Sequence, residues 1–172
     1  MSVIASFLVG RNGASTLGGL SAPLSTPEDR KRFLERHRSA GAFLIGKNSA
    51  AIESYAAARV PIYVLTRESE DLKLPHPLMN QITINDDLAE VTRRLDQMTD
   101  GDLVIEAGAR LLLALAHEGV IDLLELSQTE IDGDGDFLDI DDLLSCFTII
   151  EVEVVNGTQL LKCRNESDAT DC

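Results

Sequence analysis

Short apolar runs alternate with segments of helical periodicity along most of this chain. The predicted strands are residues 3–9, 42–45, 61–65, 81–84, 102–105 and 123–126. The predicted helices cover residues 26–38, 49–57, 86–98 and 108–118. Strands joined by helices pair in parallel, whereas antiparallel neighbours need only a short turn. The pattern therefore predicts an α/β fold with a mostly parallel central sheet flanked by helices.

The C-terminal part departs from this alternation. Residues 147–155 and 158–164 are rich in β-branched side chains and flank Asn156-Gly157, a strong signal for a tight hairpin. We therefore expect an antiparallel hairpin to close the sheet. The polar residues 165–172 predict a flexible acidic tail, which leaves a single domain over residues 1–164.

Charge excludes several classes of partner. The 172 residues include 15 Lys+Arg and 29 Asp+Glu, for a net charge of −14 at pH 7. Such a charge repels nucleic acid and anionic lipid, and no run approaches the ~20 apolar residues that span a bilayer. The N-terminus lacks the basic region of a secretory signal, and the three cysteines, without metal-type spacing, indicate reduced thiols. We expect a cytoplasmic protein without nucleic-acid or membrane partners.

The turn Glu106-Ala107-Gly108-Ala109-Arg110 joins a predicted strand directly to a helix. Ligands of open α/β sheets bind beyond the carboxyl ends of the strands. Free backbone amides and the helix dipole at residues 108–110 favour a phosphate there, and Gly108 permits close approach of its backbone. Any strand-to-helix turn shares these properties, so this segment alone leaves phosphate binding open.

Two further strand ends carry groups suited to phosphate. Gly46-Lys47-Asn48-Ser49 sets an ammonium and a hydroxyl at a helix start, and Thr66-Arg67 follows residues 61–65. A capped helix or a solvated turn explains each of them singly. Their agreement in so acidic a chain favours a dinucleotide, with Arg67 on the extra phosphate that distinguishes NADP from NAD.

Several segments, taken in order, resemble a known family. They are residues 24–33, 40–46, 61–67, 103–111 and 119–127 and the Gly133-Asp134-Gly135 turn. Their order is similar to the dihydrofolate reductase-like fold, and most closely to the reductase domain of the bifunctional riboflavin-biosynthesis proteins. The resemblance implies an NADPH-dependent reductase that acts on a small heterocyclic or ribosylamine substrate and forms a homodimer.

The resemblance also implies which residues form the site. In the family a strand–Glu-Gly-Gly–helix segment holds the cofactor pyrophosphate, and its acidic residue lies near the substrate. Glu106 would face the substrate as a catalytic group, and Thr66 and Arg67 would hold the adenosine-side phosphate. The full set of implied cofactor contacts is Gly46, Lys47, Ser49, Thr66, Arg67, Ala107, Gly108, Ala109, Arg110 and Leu111.

Two departures from the family pattern leave a second function open. Ala107 replaces the first glycine of the Gly-Gly pair, and Val9 replaces an acid of the first-strand signature. Both changes favour a fold relative that has lost catalysis and serves as a nucleotide-binding or interaction module.

The helix at residues 26–38 supplies the remaining candidates. Asp29 is similar in position to the proton-relaying carboxylate of dihydrofolate reductase, so a pterin reductase is a third hypothesis. Asp29 also stands three residues after the N-cap candidate Thr26, where an acid caps a helix. Arg30 begins a basic run that either holds a phosphorylated substrate or forms a solvated face.

The acidic residues 130–142 fit a calcium loop poorly. Asp132, Asp134 and Gly135 match three loop positions, but the first is Glu130 and the twelfth, Asp141, is not the bidentate glutamate. A strand is predicted before them, where the loop needs a helix. We therefore predict a turn between strands and no metal site.

Overall fold

The structure, a computed structural model, describes residues 1–52, 55–83 and 87–165. Within them the strands are β1 (Val3–Val9), β2 (Ala14–Thr16), β3 (Ala40–Gly46), β4 (Ile62–Thr66), β5 (Met79–Thr83), β6 (Asp102–Glu106), β7 (Leu123–Gln128), β8 (Gly135–Phe137), β9 (Phe147–Val155) and β10 (Thr158–Asn165). The helices are α1 (Pro27–Ser39), α2 (Lys47–Ile52), α3 (Leu88–Met98), α4 (Ala109–His117) and α5 (Ile140–Ser145). Every predicted strand and helix has a counterpart at its place in the chain.

The central sheet has eight strands in the order β5-β4-β3-β6-β1-β7-β10-β9. The first six pair in parallel, as helical crossovers require. β10 runs antiparallel to β7, and β9 runs antiparallel to β10. The predicted fold class, a mostly parallel sheet flanked by helices and closed by an antiparallel hairpin, is confirmed.

The buried core has two clusters because side chains alternate across each strand. Along β3, Phe43 and Ile45 belong to one cluster, whereas Ala42 and Leu44 belong to the other. α4 packs into the second cluster through Leu112 and other apolar residues. This burial on both sides explains why the parallel strands are continuous apolar runs.

The C-terminal hairpin turns at Asn156-Gly157. Both residues have positive φ, 50° and 80°, as a two-residue turn of this kind requires. The predicted tail starts one residue too early, because Asn165 is the buried last residue of β10. Its side-chain amide donates to the Ile121 carbonyl oxygen at 3.1 Å. Residues 166–172 lie outside the described residues.

Three local predictions differ from the structure. α2 starts at Lys47 rather than at residue 49, and residues 55–57 are not helical. Residues 10–25, for which no strand or helix is predicted, contain β2 and a short 3-10 turn at Ala22–Leu24. The predicted turn at residues 130–142 contains β8 and the start of α5. β2 and β8 are three-residue strands that form only by pairing with each other, so neither has a periodic signal of its own.

α1 is anchored to the sheet by part of its basic run. Arg32 Nε donates to the Glu125 carboxylate at 3.1 Å, and Arg36 pairs with the same carboxylate. Arg32 Nη2 also donates to the Leu161 carbonyl oxygen at 2.5 Å. The solvated-face interpretation is therefore wrong for Arg32 and Arg36. No helix in the described part of the chain is long and apolar enough to cross a membrane.

Candidate active site

One large cleft opens where four neighbouring parallel strands end. β4, β3, β6 and β1 stand side by side, and residues at their carboxyl ends border a cleft of about 1760 Å³. Ligands of open α/β sheets bind at this edge. The predicted site residues that line it are Asp29, Arg30, Gly46, Lys47, Ser49, Thr66, Arg67, Glu106, Ala107, Gly108, Arg110 and Leu111. Ala109 is buried beside them and presents its backbone amide.

The N-terminus of α4 already holds an anionic group of the chain itself. Gly108 is the N-cap, and the amide of Ala109 donates to Asp136 Oδ2 at 3.1 Å. The Ser15 hydroxyl donates to the same oxygen at 2.9 Å. A Cβ at Gly108 would lie 3.3 Å from that oxygen, so the missing side chain makes room for the carboxylate. Asp136 thus occupies the place at which the sequence predicts a phosphate.

Lys47 and Arg67 bring cationic groups to the cleft at the ends of β3 and β4. Lys47 is paired with the exposed Glu68 carboxylate. The Thr66 hydroxyl accepts a hydrogen bond from the Glu68 amide at 3.1 Å. Arg67 is exposed and has no acidic partner among the residues that the structure describes. The guanidinium is therefore available to a ligand in the cleft.

Asp29 and Arg30 reach the cleft from the first turn of α1. The Asp29 amide donates to Thr26 Oγ1 at 3.3 Å, so the predicted N-cap is confirmed. The Asp29 carboxylate accepts a hydrogen bond from the Ser25 hydroxyl at 2.6 Å. The Arg30 guanidinium lies 4.9 Å from the centre of the Phe33 ring. Both side chains combine a local structural role with a place on the cleft wall.

Glu106, at the end of β6, is the centre of a small polar cluster. His37 Nε2 lies 2.5 Å from Glu106 Oε1, and the Tyr55 hydroxyl donates to Glu106 Oε2 at 2.9 Å. All three residues line the cleft. Both oxygens of the carboxylate therefore have partners within the protein.

The two departures from the family pattern have different surroundings. Val9 is fully buried in the core cluster that contains α4, and it does not border the cleft. Ala107 does border the cleft, although it is 7% exposed. The valine therefore changes core packing, and Ala107 is the departure that borders the cleft.

The acidic segment at residues 130–142 binds other parts of the chain. Asp132 pairs with Arg11, whose guanidinium lowers the pKa of that carboxyl. Asp134 accepts from the Gly18 amide at 2.9 Å. No group of three or more metal-ligating side chains occurs in the described residues.

Four residues that line the cleft are not predicted from the sequence: Ser15, His37, Tyr55 and Asp136. Residues 29, 33 and 37 repeat every four positions, so one face of α1 could have been assigned to the cleft from the sequence. The other three side chains have no such signal, because β2, β8 and the segment after α2 reach the cleft only through tertiary contacts.

No protein-family model matches the sequence, and no curated protein matches it. Solved structures match it closely in fold. A protein from Shewanella sp. PV-4 whose name assigns it to riboflavin biosynthesis superposes with a TM-score of 0.73 at 16% identity, over 96% of this chain and 99% of that one. A dihydrofolate reductase from Enterococcus faecalis, solved with NADP(H), gives 0.69 at 18% identity, over 96% of each chain.

The bifunctional relatives are longer than this chain. The Thermotoga maritima diaminohydroxyphosphoribosylaminopyrimidine deaminase/5-amino-6-(5-phosphoribosylamino)uracil reductase gives a TM-score of 0.69 at 15% identity, over 95% of this chain and 56% of that one. The chain therefore spans little more than half of that protein. At identities of 18% or less, such likeness establishes architecture and leaves activity to the site. The chain has the dihydrofolate reductase-like fold that the reductase domains of riboflavin-biosynthesis proteins share.

Proposed function

We propose that this chain is an NADPH-dependent reductase of the pyrimidine reductase type, acting on a small heterocyclic or ribosylamine substrate. The supporting observation is the cleft at the carboxyl ends of β1, β3, β4 and β6. Groups suited to phosphate lie there beside the polar cluster centred on Glu106. The net charge of the chain is −14, so the exposed Arg67 guanidinium at this edge of the sheet does not simply reflect a basic protein surface.

The residues of the cleft fit a dinucleotide phosphate by their chemistry. The Ala109 amide already donates to a carboxylate oxygen, so the start of α4 is able to receive an anion. Thr66 and Arg67 add a hydroxyl and a guanidinium at the end of β4. When bound, NADPH supplies the hydride. The chain binds and orients it through Gly108, Ala109 and Arg67 and excludes water from the reacting atoms.

The substrate side of the proposal rests on α1. Arg30 lines the cleft and is suited to a substrate phosphate such as that of 5-amino-6-(5-phosphoribosylamino)uracil, which the Thermotoga maritima protein is named as reducing. Asp29 lies beside it, with its carboxylate held by Ser25. An acid in this place also suits a pterin ring, so dihydrofolate is the comparison substrate.

A second candidate function is a nucleotide-binding or interaction module without catalysis. The Asp136 carboxylate favours such a module, because it already accepts the hydrogen bond of the Ala109 amide that a pyrophosphate needs. The Ala107 methyl on the cleft wall favours it as well. The two functions differ in whether NADPH is consumed.

A thermal-shift titration with NADPH and NADH tests cofactor binding. A ligand at about 100 times its Kd adds ~2.7 kcal/mol of stability, which corresponds to a rise in Tm of roughly 5–10 °C for a chain of this size. We expect this rise with NADPH at lower concentration than with NADH. Loss of NADPH absorbance is then followed with 5-amino-6-(5-phosphoribosylamino)uracil and with dihydrofolate. Binding without consumption of NADPH would favour the module, and no shift with either cofactor would contradict a cofactor site.

Replacement of Arg67 tests how the cleft selects its cofactor. Arg67→Ala removes the guanidinium at the end of β4, so NADPH should bind about tenfold more weakly, while NADH should bind almost as before. Arg93→Ala, on the exposed side of α3, is the matched control and should change neither affinity. Equal losses for the two cofactors in Arg67→Ala would show that this residue does not contact the distinguishing phosphate.

A further inference from the structure

We propose that His37 is the proton donor of the reduction and that Glu106 and Tyr55 position it. The inference deepens the proposed function and rests on it. It concerns a group that cofactor binding does not explain: a histidine on the cleft wall, held by a carboxylate at the end of a central strand.

The geometry around His37 supports this role. Its Nε2 lies 2.5 Å from Glu106 Oε1, and the two side chains are 22% and 12% exposed. They are thus largely removed from solvent but still open to the cleft. A carboxylate at this distance compensates the charge that an imidazole carries when it is protonated. Glu106 contacts Nε2 of the ring, so Nδ1 is the ring nitrogen that Glu106 does not engage.

Aromatic rings fix the orientation of the imidazole. The ring centres of Phe33 and Phe43 lie 4.0 and 4.5 Å from that of His37. Tyr55 stacks at 6.2 Å with an interplanar angle of 15°. A ring held by three neighbours and one hydrogen bond has little freedom to rotate, and a fixed donor geometry is what proton transfer requires.

The neighbouring titratable groups favour His37 over Glu106 as the donor. From β6 the ring faces Glu106, from the segment after α2 it faces Tyr55, and from β3 it contacts the Phe43 ring. The Tyr55 hydroxyl donates to Glu106 Oε2 and His37 Nε2 contacts Glu106 Oε1, so both carboxylate oxygens are already engaged by side chains of the protein. Glu106 is accordingly a positioning residue.

The proposed step transfers a hydride and a proton to the substrate. A hydride adds to the carbon of a C=N or C=O bond of the substrate. The π electron pair of that bond moves to the nitrogen or oxygen, which takes a proton from His37 Nδ1. The Nδ1–H bond breaks, its electron pair stays on the ring, and the neutral imidazole keeps its Nε2–H bonded to Glu106. A proton from solvent then restores the donor.

The test compares His37→Gln with His117→Gln. Glutamine retains an N–H that can bond Glu106 but carries no transferable proton. His117 is the matched control, since it is an exposed histidine that lies 3.2 Å from Asp142 and does not line the cleft. NADPH affinity and Tm should be nearly the same in both variants and the wild type. Single-turnover consumption of NADPH with 5-amino-6-(5-phosphoribosylamino)uracil should fall about 100-fold or more in His37→Gln only.

The pH profile distinguishes a donor from a packing residue. The wild-type rate should fall as pH rises and the imidazolium is lost, and this dependence should vanish in His37→Gln. If His37 only holds α1 to β6, the variant would lose stability and keep the wild-type pH profile, which would overturn the inference. Normal NADPH binding would at the same time leave the cofactor part of the proposed function intact.

Histidine-ring NMR gives a readout that needs no turnover. In Glu106→Gln the pH titration of the His37 ring should move, whereas that of His117 should not. An unchanged His37 titration would contradict the coupling between the two groups. If the wild type binds NADPH but reduces neither 5-amino-6-(5-phosphoribosylamino)uracil nor dihydrofolate, both the reductase and the proton donor are overturned, and only the binding module remains.

Discussion

At the scale of single residues, the chain's own Asp136 occupies the start of α4. Its carboxylate accepts hydrogen bonds from the Ala109 amide and the Ser15 hydroxyl at one oxygen. Its φ of 47° lies in the left-handed region, which a residue other than glycine adopts at some energetic cost. Binding of a pyrophosphate at this amide requires the carboxylate to move away. Asp136 therefore weakens the affinity for any anion at the start of α4.

Replacement of Asp136 should strengthen cofactor binding. Asp136→Asn removes the competing charge, which is worth about 1 kcal/mol at a helix N-terminus, so NADPH should bind roughly fivefold more tightly. Calorimetric titration measures the change. Asp141→Asn makes the same change of net charge on the exposed surface of α5 and is the control. Weaker binding in Asp136→Asn than in this control would mean that the carboxylate assists the cofactor.

At the scale of elements, α1 is held in place by polar contacts rather than by a buried apolar face. None of its residues is buried. Glu125 on β7 pairs with Arg32 and Arg36, and its side chain is 9% exposed. The Glu125 carboxylate therefore joins the contact between His37 and Glu106 in holding α1 against the sheet.

Loss of that carboxylate should destabilise the whole protein. Glu125→Gln leaves Arg32 and Arg36 without a counter-charge in a largely buried place, and breaking such a pair costs about 3 kcal/mol. We expect Tm to fall by roughly 6–12 °C, as measured by thermal denaturation. Glu90→Gln, on the exposed side of α3, should change Tm by no more than about 2 °C. A similarly small change in Glu125→Gln would show that α1 is held by other contacts.

At the scale of the whole molecule, the sheet ends in an apolar edge. β9 is the last strand, and Ile149, Ile150, Val152 and Val154 on it are between 44% and 67% exposed. Natural proteins rarely leave a long apolar edge strand uncovered, because it pairs with other chains. We propose that a second copy of this chain covers β9, so that the protein is a homodimer.

A charge on the edge strand tests the dimer. Val152→Lys should convert the protein to monomers, because it would bury an ammonium on the face of β9 that Ile150 and Val154 share. Light scattering coupled to size exclusion gives the mass. Met98→Lys is the control, since Met98 is 66% exposed on α3, outside this edge. A wild type that has the mass of one chain would refute the proposal, as would a Val152→Lys variant that keeps the mass of two.

Local patterns in the sequence were sufficient for most of the architecture. Buried parallel strands need continuous apolar runs, and the run at residues 61–65 predicts β4 to within one residue. The Asn156-Gly157 pair predicts its turn because few other residues adopt positive φ twice in succession. The ends of the predicted strands place Gly46, Thr66 and Glu106 at the same edge of the sheet. These three residues do line one cleft.

The contacts within the site did not follow from such patterns. His37 and Glu106 are 69 positions apart, and Ala109 and Asp136 are 27 apart. β2 and β8 are each three residues long and exist only as a pair. A hydrogen bond between distant residues depends on strand order and helix placement, which no local window of sequence contains.

By itself, then, the sequence determined the strands, the helices, the hairpin and the edge of the sheet at which ligand-binding groups collect. These follow from side-chain periodicity and backbone preference, which are properties of neighbouring residues. Only the tertiary structure decided that Asp136 occupies the start of α4 and that Glu106 holds His37. Side chains far apart along the chain become partners when packing removes both from water, because each then needs the other to satisfy its hydrogen bonds.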